Sequence, residues 1–192
     1  MKTIRILAVI FAFLSIFTSC NKPIKIDNKF LTAVVPSEYV NATDFKQNDV
    51  LYLHYLSKDG LESIFSVDNT QDLIIQPNAQ TIKEFTPIQR LTSRLRSIEE
   101  GTKLPNFNWK NFTITKQPKE LKFKGYNGAE ATFTVDEKIE KLGKTVKRKI
   151  KRMIVFKEND LWNFVLAPSE LKNYETEMKT FDEILQSIEI KK

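Results

Sequence analysis

A single cysteine, a single histidine and one dense run of lysines carry most of the chemistry this 192-residue chain can offer. Cys20 follows Lys2 and Arg5, an apolar stretch from Ile6 to Phe17 and the small pair Thr18-Ser19. A basic head, a short apolar run, small residues and then cysteine are the layout of a bacterial lipoprotein signal peptide, although Phe17 stands where Leu, Val or Ile is usual. The run is shorter than the ~20 residues that a spanning helix needs. This layout predicts cleavage before Cys20, lipidation of Cys20 and anchoring to a membrane outside the cytoplasm. Several acyl chains make such an anchor lasting, where one alone binds marginally. Lipidation also uses the sole thiol, which excludes disulfides, thiolate metal sites and cysteine nucleophiles. No cofactor and no metal site is expected.

The lysine run is the candidate recognition surface. Lys138, Lys141, Lys144, Lys147, Arg148, Lys149, Lys151 and Arg152 stand close together with Glu140 among them. On a strand, Lys147, Lys149 and Lys151 share one face at a spacing of about 7 Å. Such a row can grip anionic lipid headgroups or an acidic envelope protein. The alternative is an edge strand whose lysines block aggregation. Nucleic acid is not an expected partner at an extracytoplasmic address.

His54 lies within an apolar run, with no second histidine to share a metal and no G-x-S-x-G nucleophile motif, and reads as a structural residue of a sheet. Phe107, Trp109 and Phe112 fall in a turn-rich stretch after Pro105. They suit either a ligand-stacking patch or a plug for the end of the core. The acid pairs Glu99-Glu100 and Asp136-Glu137 are the kind a carboxylate-dependent hydrolase uses, but neighbours in sequence point apart.

The elements that position these residues are mostly strands. Phe30 to Val35 is a strand stopped by Pro36. Val50 to Leu56 and Leu61 to Val67 flank Asp59-Gly60, and Leu121 to Tyr126 and Ala129 to Val135 flank Asn127-Gly128. Both dipeptides are hairpin signals. Ala129, Ala131, Phe133 and Val135 alternate with polar residues, so one face is buried. Val146 to Phe156 and Leu161 to Leu166 form a last hairpin around Glu158-Asn159-Asp160. The second arm is apolar on both faces apart from Asn163, which predicts a central strand. Thr86-Pro87-Ile88-Gln89 combines an N-cap, a proline at the first helical position and a capping-box glutamine. Ile88, Leu91, Leu95 and Ile98 then form a helical stripe ending near Gly101. A second helix begins near Ser169, with Leu171, Tyr174, Met178, Phe181 and Leu185 at helical spacing. Ser187 opens a short strand, Ile188 to Ile190. Hairpins in sequence with helices between them predict an α+β fold with an antiparallel β-sheet.

Loss of Lys2 and Arg5 with the leader lowers the formal charge from +6 to +4. Residues 1–19 are the expected leader and residues 20–28 a lipidated N-terminus and polar tether. Residues 29–192 form one domain. The expected address is a membrane of a Gram-negative envelope, and the segment after Cys20 lacks the acidic run that some Gram-negative lineages use to send lipoproteins to the cell surface, so the domain is expected to face the periplasm.

The order of elements resembles the PsbP-like, or Mog/PsbP-type, superfamily, which includes DcrB-like bacterial lipoproteins. The similarity is carried by Val35-Pro36-Ser37 after the first strand, the Arg152 to Phe156 strand and Asn159-Asp160-Leu161-Trp162-Asn163-Phe164. It continues through Pro168, Tyr174, Phe181, Ile184-Leu185 and Ser187-Ile188. The resemblance implies an α/β/α sandwich around an antiparallel sheet and no family-wide catalytic site. It implies a non-enzymatic binding or assembly module, the alternative being a carrier of a small apolar or lipid-like ligand.

Overall fold

The computed structural model describes residues 22–46, 49–70, 85–158 and 160–191. Cys20 and the expected leader, residues 1–19, lie outside the described residues. Among the described residues, ten strands and two α-helices follow one another as β1 (Ile24–Asp27), β2 (Leu31–Val35), β3 (Val40–Asn41), β4 (Asp49–Leu56), β5 (Glu62–Thr70), α1 (Pro87–Thr102), β6 (Trp109–Phe123), β7 (Tyr126–Ile139), β8 (Lys144–Lys157), β9 (Asp160–Ala167), α2 (Tyr174–Ser187) and β10 (Glu189–Ile190). Seven strands form one antiparallel sheet in the order β3-β4-β5-β9-β8-β7-β6. The other three form a small sheet, β1-β2-β10. The class is α+β, as the run of hairpins predicts.

Alternation along the strands divides the core in two. From β8, Ile150 and Ile154 join Ala129, Phe133 and Val135 of β7 beneath Leu91, Leu95 and Ile98 of α1. Met153 and Val155 point the other way, into a cluster with Phe164, Leu53, Phe65 and the α2 residues Met178, Phe181 and Ile184. The small sheet completes that second cluster through Leu31, Ala33 and Val35. Helices therefore cover opposite faces of the large sheet, and β9, with Trp162, Phe164 and Leu166 buried, is central as expected.

α1 begins as its sequence directs. Thr86 Oγ1 accepts from the Gln89 backbone N–H while Gln89 Oε1 accepts from the Thr86 N–H, which closes the capping box. The start of the second helix is displaced: Leu171–Asn173 form one 3₁₀ turn and α2 opens at Tyr174.

Three local expectations are corrected. Asn127-Gly128 is not a turn. The hairpin closes at Lys124-Gly125, with φ of 51° and 87°, between the paired residues Phe123 and Tyr126. Two consecutive positive φ values suit the right-handed twist of the flanking strands. Gly128 lies inside β7, opposite Val155, where a Cβ would come 2.7 Å from the Ile154 carbonyl oxygen. Asp59-Gly60 does lie between two strands, but the connection is the longer Ser57–Leu61 loop, closed by a Ser57 N–H to Leu61 carbonyl bond of 2.8 Å. Finally, Ile24–Asp27, expected as tether, pair with Thr32–Val35 as an edge strand of the small sheet.

Candidate functional site

β8 is an interior strand between β9 and β7, so the reading of its lysines as edge protection is overturned. Lys147, Lys149 and Lys151 do share one face, opposite Asp136, Thr134 and Thr132 of β7. That face runs beneath α2, which divides the row. Lys151 Nζ lies 3.1 Å from Glu130 Oε2 and 3.9 Å from Asp182 Oδ1. Lys149 Nζ sits 4.0 Å from the Tyr174 ring centroid and 3.8 Å from Glu175 Oε1. Of the three, only Lys147, the member nearest the hairpin tip, is exposed; Lys149 and Lys151 are half-buried. Burial opposes ionisation of Glu130, but the hydrogen bonds from Lys119 and Lys151 outweigh it and hold its carboxyl below the ordinary range.

The hairpin tip beyond Lys147 is also cationic. Residues Glu140–Leu142 make a 3₁₀ turn that ends at Gly143 in the left-handed region. Lys138, just before this turn, and Lys141, within it, keep about two-thirds of their side chains exposed, at 3.7 Å from Glu140 and Glu62 respectively. Exposed pairs at this separation contribute little to stability and leave the ammonium groups accessible to a partner.

The two arginines of the run behave differently because alternation sends them to the opposite face. Arg148 is buried: Nη1 donates to the Glu62 carbonyl at 2.7 Å and to the Pro168 carbonyl at 3.3 Å, and Nε meets the Glu137 carboxylate. Arg152 Nε donates to Asn163 Oδ1 at 2.8 Å, and Asn163 Nδ2 donates in turn to Asp68. Burial, reinforced by the nearby Arg94, pushes the Arg152 guanidinium down to about 10. These buried chains knit β5, β7, β8 and β9 together. Sequence reading placed both arginines in the solvent-facing run; the signal that separates them is their even-numbered phase against the odd-numbered lysines.

His54, on β4, lies half-exposed opposite Ile64, with Nδ1 3.9 Å from Glu62 Oε1. Asp136 and Glu137 point to opposite faces, where Asn111 and Arg148 meet them. Glu99 and Glu100 are exposed on α1. Among the described residues no group of three or more His, Cys, Asp or Glu side chains is arranged to hold a metal ion.

The aromatic stretch is partly strand rather than turn, since β6 begins at Trp109. Trp109 and Phe112 pack on Phe133 at centroid distances of 6.3 and 5.1 Å, so both close the end of the α1 core. Phe107 meets Trp109 edge-on at 6.1 Å and keeps 37 % of its surface exposed.

No protein-family model matches the chain, and no curated protein matches its sequence. Similarity appears in solved structures. The solution structure of cyanobacterial PsbP (CyanoP) from Synechocystis shares 11 % identity with a TM-score of 0.61, covering 91 % of this chain and 96 % of that one. LpqN of Mycobacterium tuberculosis shares 10 % identity at a TM-score of 0.50, covering 89 % and 90 %. A Bacteroides thetaiotaomicron protein shares 13 % identity at a TM-score of 0.50, covering 90 % of this chain and 49 % of its own. The fold is therefore PsbP-like. Among the described residues no helix is long and apolar enough to cross a membrane.

Proposed function

We propose that this chain is a lipid-anchored protein of the bacterial cell envelope, held by Cys20, and that it works as a non-enzymatic binding or assembly module. Its partner is an acidic envelope protein or a surface of anionic lipid headgroups. The observation that supports this reading is the cationic end of the β7–β8 hairpin, where Lys147 is exposed and Lys138 and Lys141 extend the charge to the tip. Of the row Lys147, Lys149 and Lys151, the first offers itself to a partner. The other two reach one only by exchanging Glu175, Asp182 and Glu130 for its acids. One structural neighbour, LpqN, is described as involved in cell envelope biogenesis, which agrees with this setting. Fold likeness does not transfer a function by itself.

In-cell crosslinking from a photoreactive residue placed at Leu142, exposed at the hairpin tip, followed by mass spectrometry, tests the partner. Capture that disappears in Lys147→Glu, with unfolding temperature unchanged, is the expected result; equal capture by that variant removes the hairpin from the proposal. Incorporation of labelled palmitate that is lost in Cys20→Ala is expected for the anchor, and incorporation that survives the substitution refutes it.

A further inference from the structure

A second surface lies where the α1–β6 connection passes the C-terminal end of β7, and it shares Lys138 with the cationic hairpin tip. It is a cleft of about 550 Å³ bordered by Phe107, Asn108, Asn111, Asp136, Lys138 and Thr145. Its volume falls within the range of small-molecule sites.

Local backbone chemistry builds this cleft. The β6–β7 register slips between Lys110 and Thr113, and Asn111 takes a φ of 52° there. A bulge gives two neighbouring residues new directions. Phe112 turns in against Phe133, while exposed Asn111 turns out and donates through Nδ2 to Asp136 Oδ2 at 2.7 Å. Lys110 ties the cleft floor to the end of α1 by donating to the Thr102 and Leu104 carbonyls. The ring of Phe107 is supported from behind by Gly101 and by Trp109, with its remaining surface open.

The chemistry selects among ligands. Asp136 and Glu140 offset Lys110 and Lys138, so an anion gains no net attraction. A divalent cation meets the two ammonium groups and finds too few carboxylates. An apolar ligand finds one open ring among amides, a hydroxyl and charges. A polyhydroxylated ring satisfies all of them: asparagine both donates and accepts, aspartate accepts, lysine donates, and each sugar hydroxyl does both. The C–H face of a sugar also suits the negative face of an aromatic ring.

We propose that this cleft binds a neutral oligosaccharide, with Phe107 as the stacking face and the Asn111–Asp136 pair as the hydroxyl-reading edge. The site goes beyond the lysine-based recognition and shares only Lys138 with it, while its reading residues Phe107, Asn111 and Asp136 belong to the cleft alone. The test uses the full chain in a detergent without a sugar headgroup, titrated with chitotetraose, cellotetraose and mannotetraose. Calorimetry and the fluorescence of Trp109, which touches the Phe107 ring, report binding. At least one oligosaccharide is expected to bind saturably with a Kd on the order of 0.1–1 mM.

Asn111→Gly removes the amide while suiting the left-handed backbone, so folding is retained; Phe107→Ile keeps apolar bulk without a ring. Each variant is expected to weaken binding about tenfold or more, the equivalent of one lost well-made polar contact. Lys179→Ala, on the exposed side of α2 and outside the cleft lining, is expected to leave the affinity unchanged. No heat and no fluorescence change with all three oligosaccharides up to ~10 mM overturns the proposal, as does binding that both cleft variants leave intact. Either negative result leaves the Lys147 reading standing.

Discussion

Gly128→Ala is expected to destabilise the protein, although alanine is the better strand former. In β7 the added Cβ would lie 2.7 Å from the Ile154 carbonyl oxygen and 3.2 Å from both Leu121 Cδ1 and Val155 Cγ2. Carbon–oxygen contacts between strands settle at about 3.3–3.6 Å, so roughly 0.6 Å must be found. The obstructing atom belongs to the backbone of β8, which is hydrogen-bonded to strands on both sides and has little room to retreat. Replacing glycine inside a strand ordinarily gains about 0.5–1 kcal/mol. Overpacking a tight site costs about 1–3 kcal/mol. The net loss is about 1–2 kcal/mol, or roughly 2–8 °C in unfolding temperature for a chain of this size.

Thermal unfolding followed by circular dichroism measures this loss, and amide exchange along the β7–β8 ladder locates it. Gly125→Ala is the companion variant. Nothing lies within 4 Å of its Cβ, and its φ of 87° alone sets the penalty, about 1–2 kcal/mol. If the chain turned at Asn127-Gly128 instead, Gly125 would be an ordinary strand residue and its alanine variant would gain stability. A Gly128→Ala protein that melts at or above the parent temperature refutes the packing argument.

Other perturbations give separate readings. Arg148→Met should cost about 3–5 kcal/mol, because it strands the Glu137 carboxylate and leaves the Glu62 and Pro168 carbonyls without their donor; denaturant titration with a loss below 1 kcal/mol would refute that role. Burial, with Asp68 nearby, raises the Asp49 carboxyl above the ordinary carboxylate value of 3.8, so its charge opposes folding once pH rises through the folded-state pKa. Asp49→Asn should therefore raise the unfolding temperature at pH 7, and the gain should vanish below pH 3.8. Glu130 has the opposite sign: its lowered pKa contributes stability above 4.5 that is lost as pH falls. Glu130→Gln should lower the unfolding temperature at neutral pH and converge on the parent in acid; a difference that does not change with pH contradicts the ion-pair account.

Short-range chemistry was legible from the residues alone. The Thr86–Gln89 capping box acts within one turn, so its four residues suffice to start α1 where it does start. The alternation of Ala129, Ala131, Phe133 and Val135 defines a buried face whatever packs on it. The apolar span from Leu161 to Leu166 demanded cover on both sides and received it from the two core clusters.

Sheet order belongs to the tertiary structure, because it follows from pairings between distant strands. β5 lies beside β9, with Ile64 opposite Ala167, and no spacing in the chain specifies that neighbour. This placement carries β8 into the sheet interior, brings Glu175 and Asp182 of α2 over Lys149 and Lys151, and leaves Lys147 at the exposed end. It also brings Arg148 to Glu62 and Glu137 from separate strands. The turn at Lys124-Gly125 was decided at the same level. An Asn-Gly turn three residues later is locally favourable, but the Gly128 backbone is needed for the close approach of β8, and interior register outweighs the preference of a dipeptide.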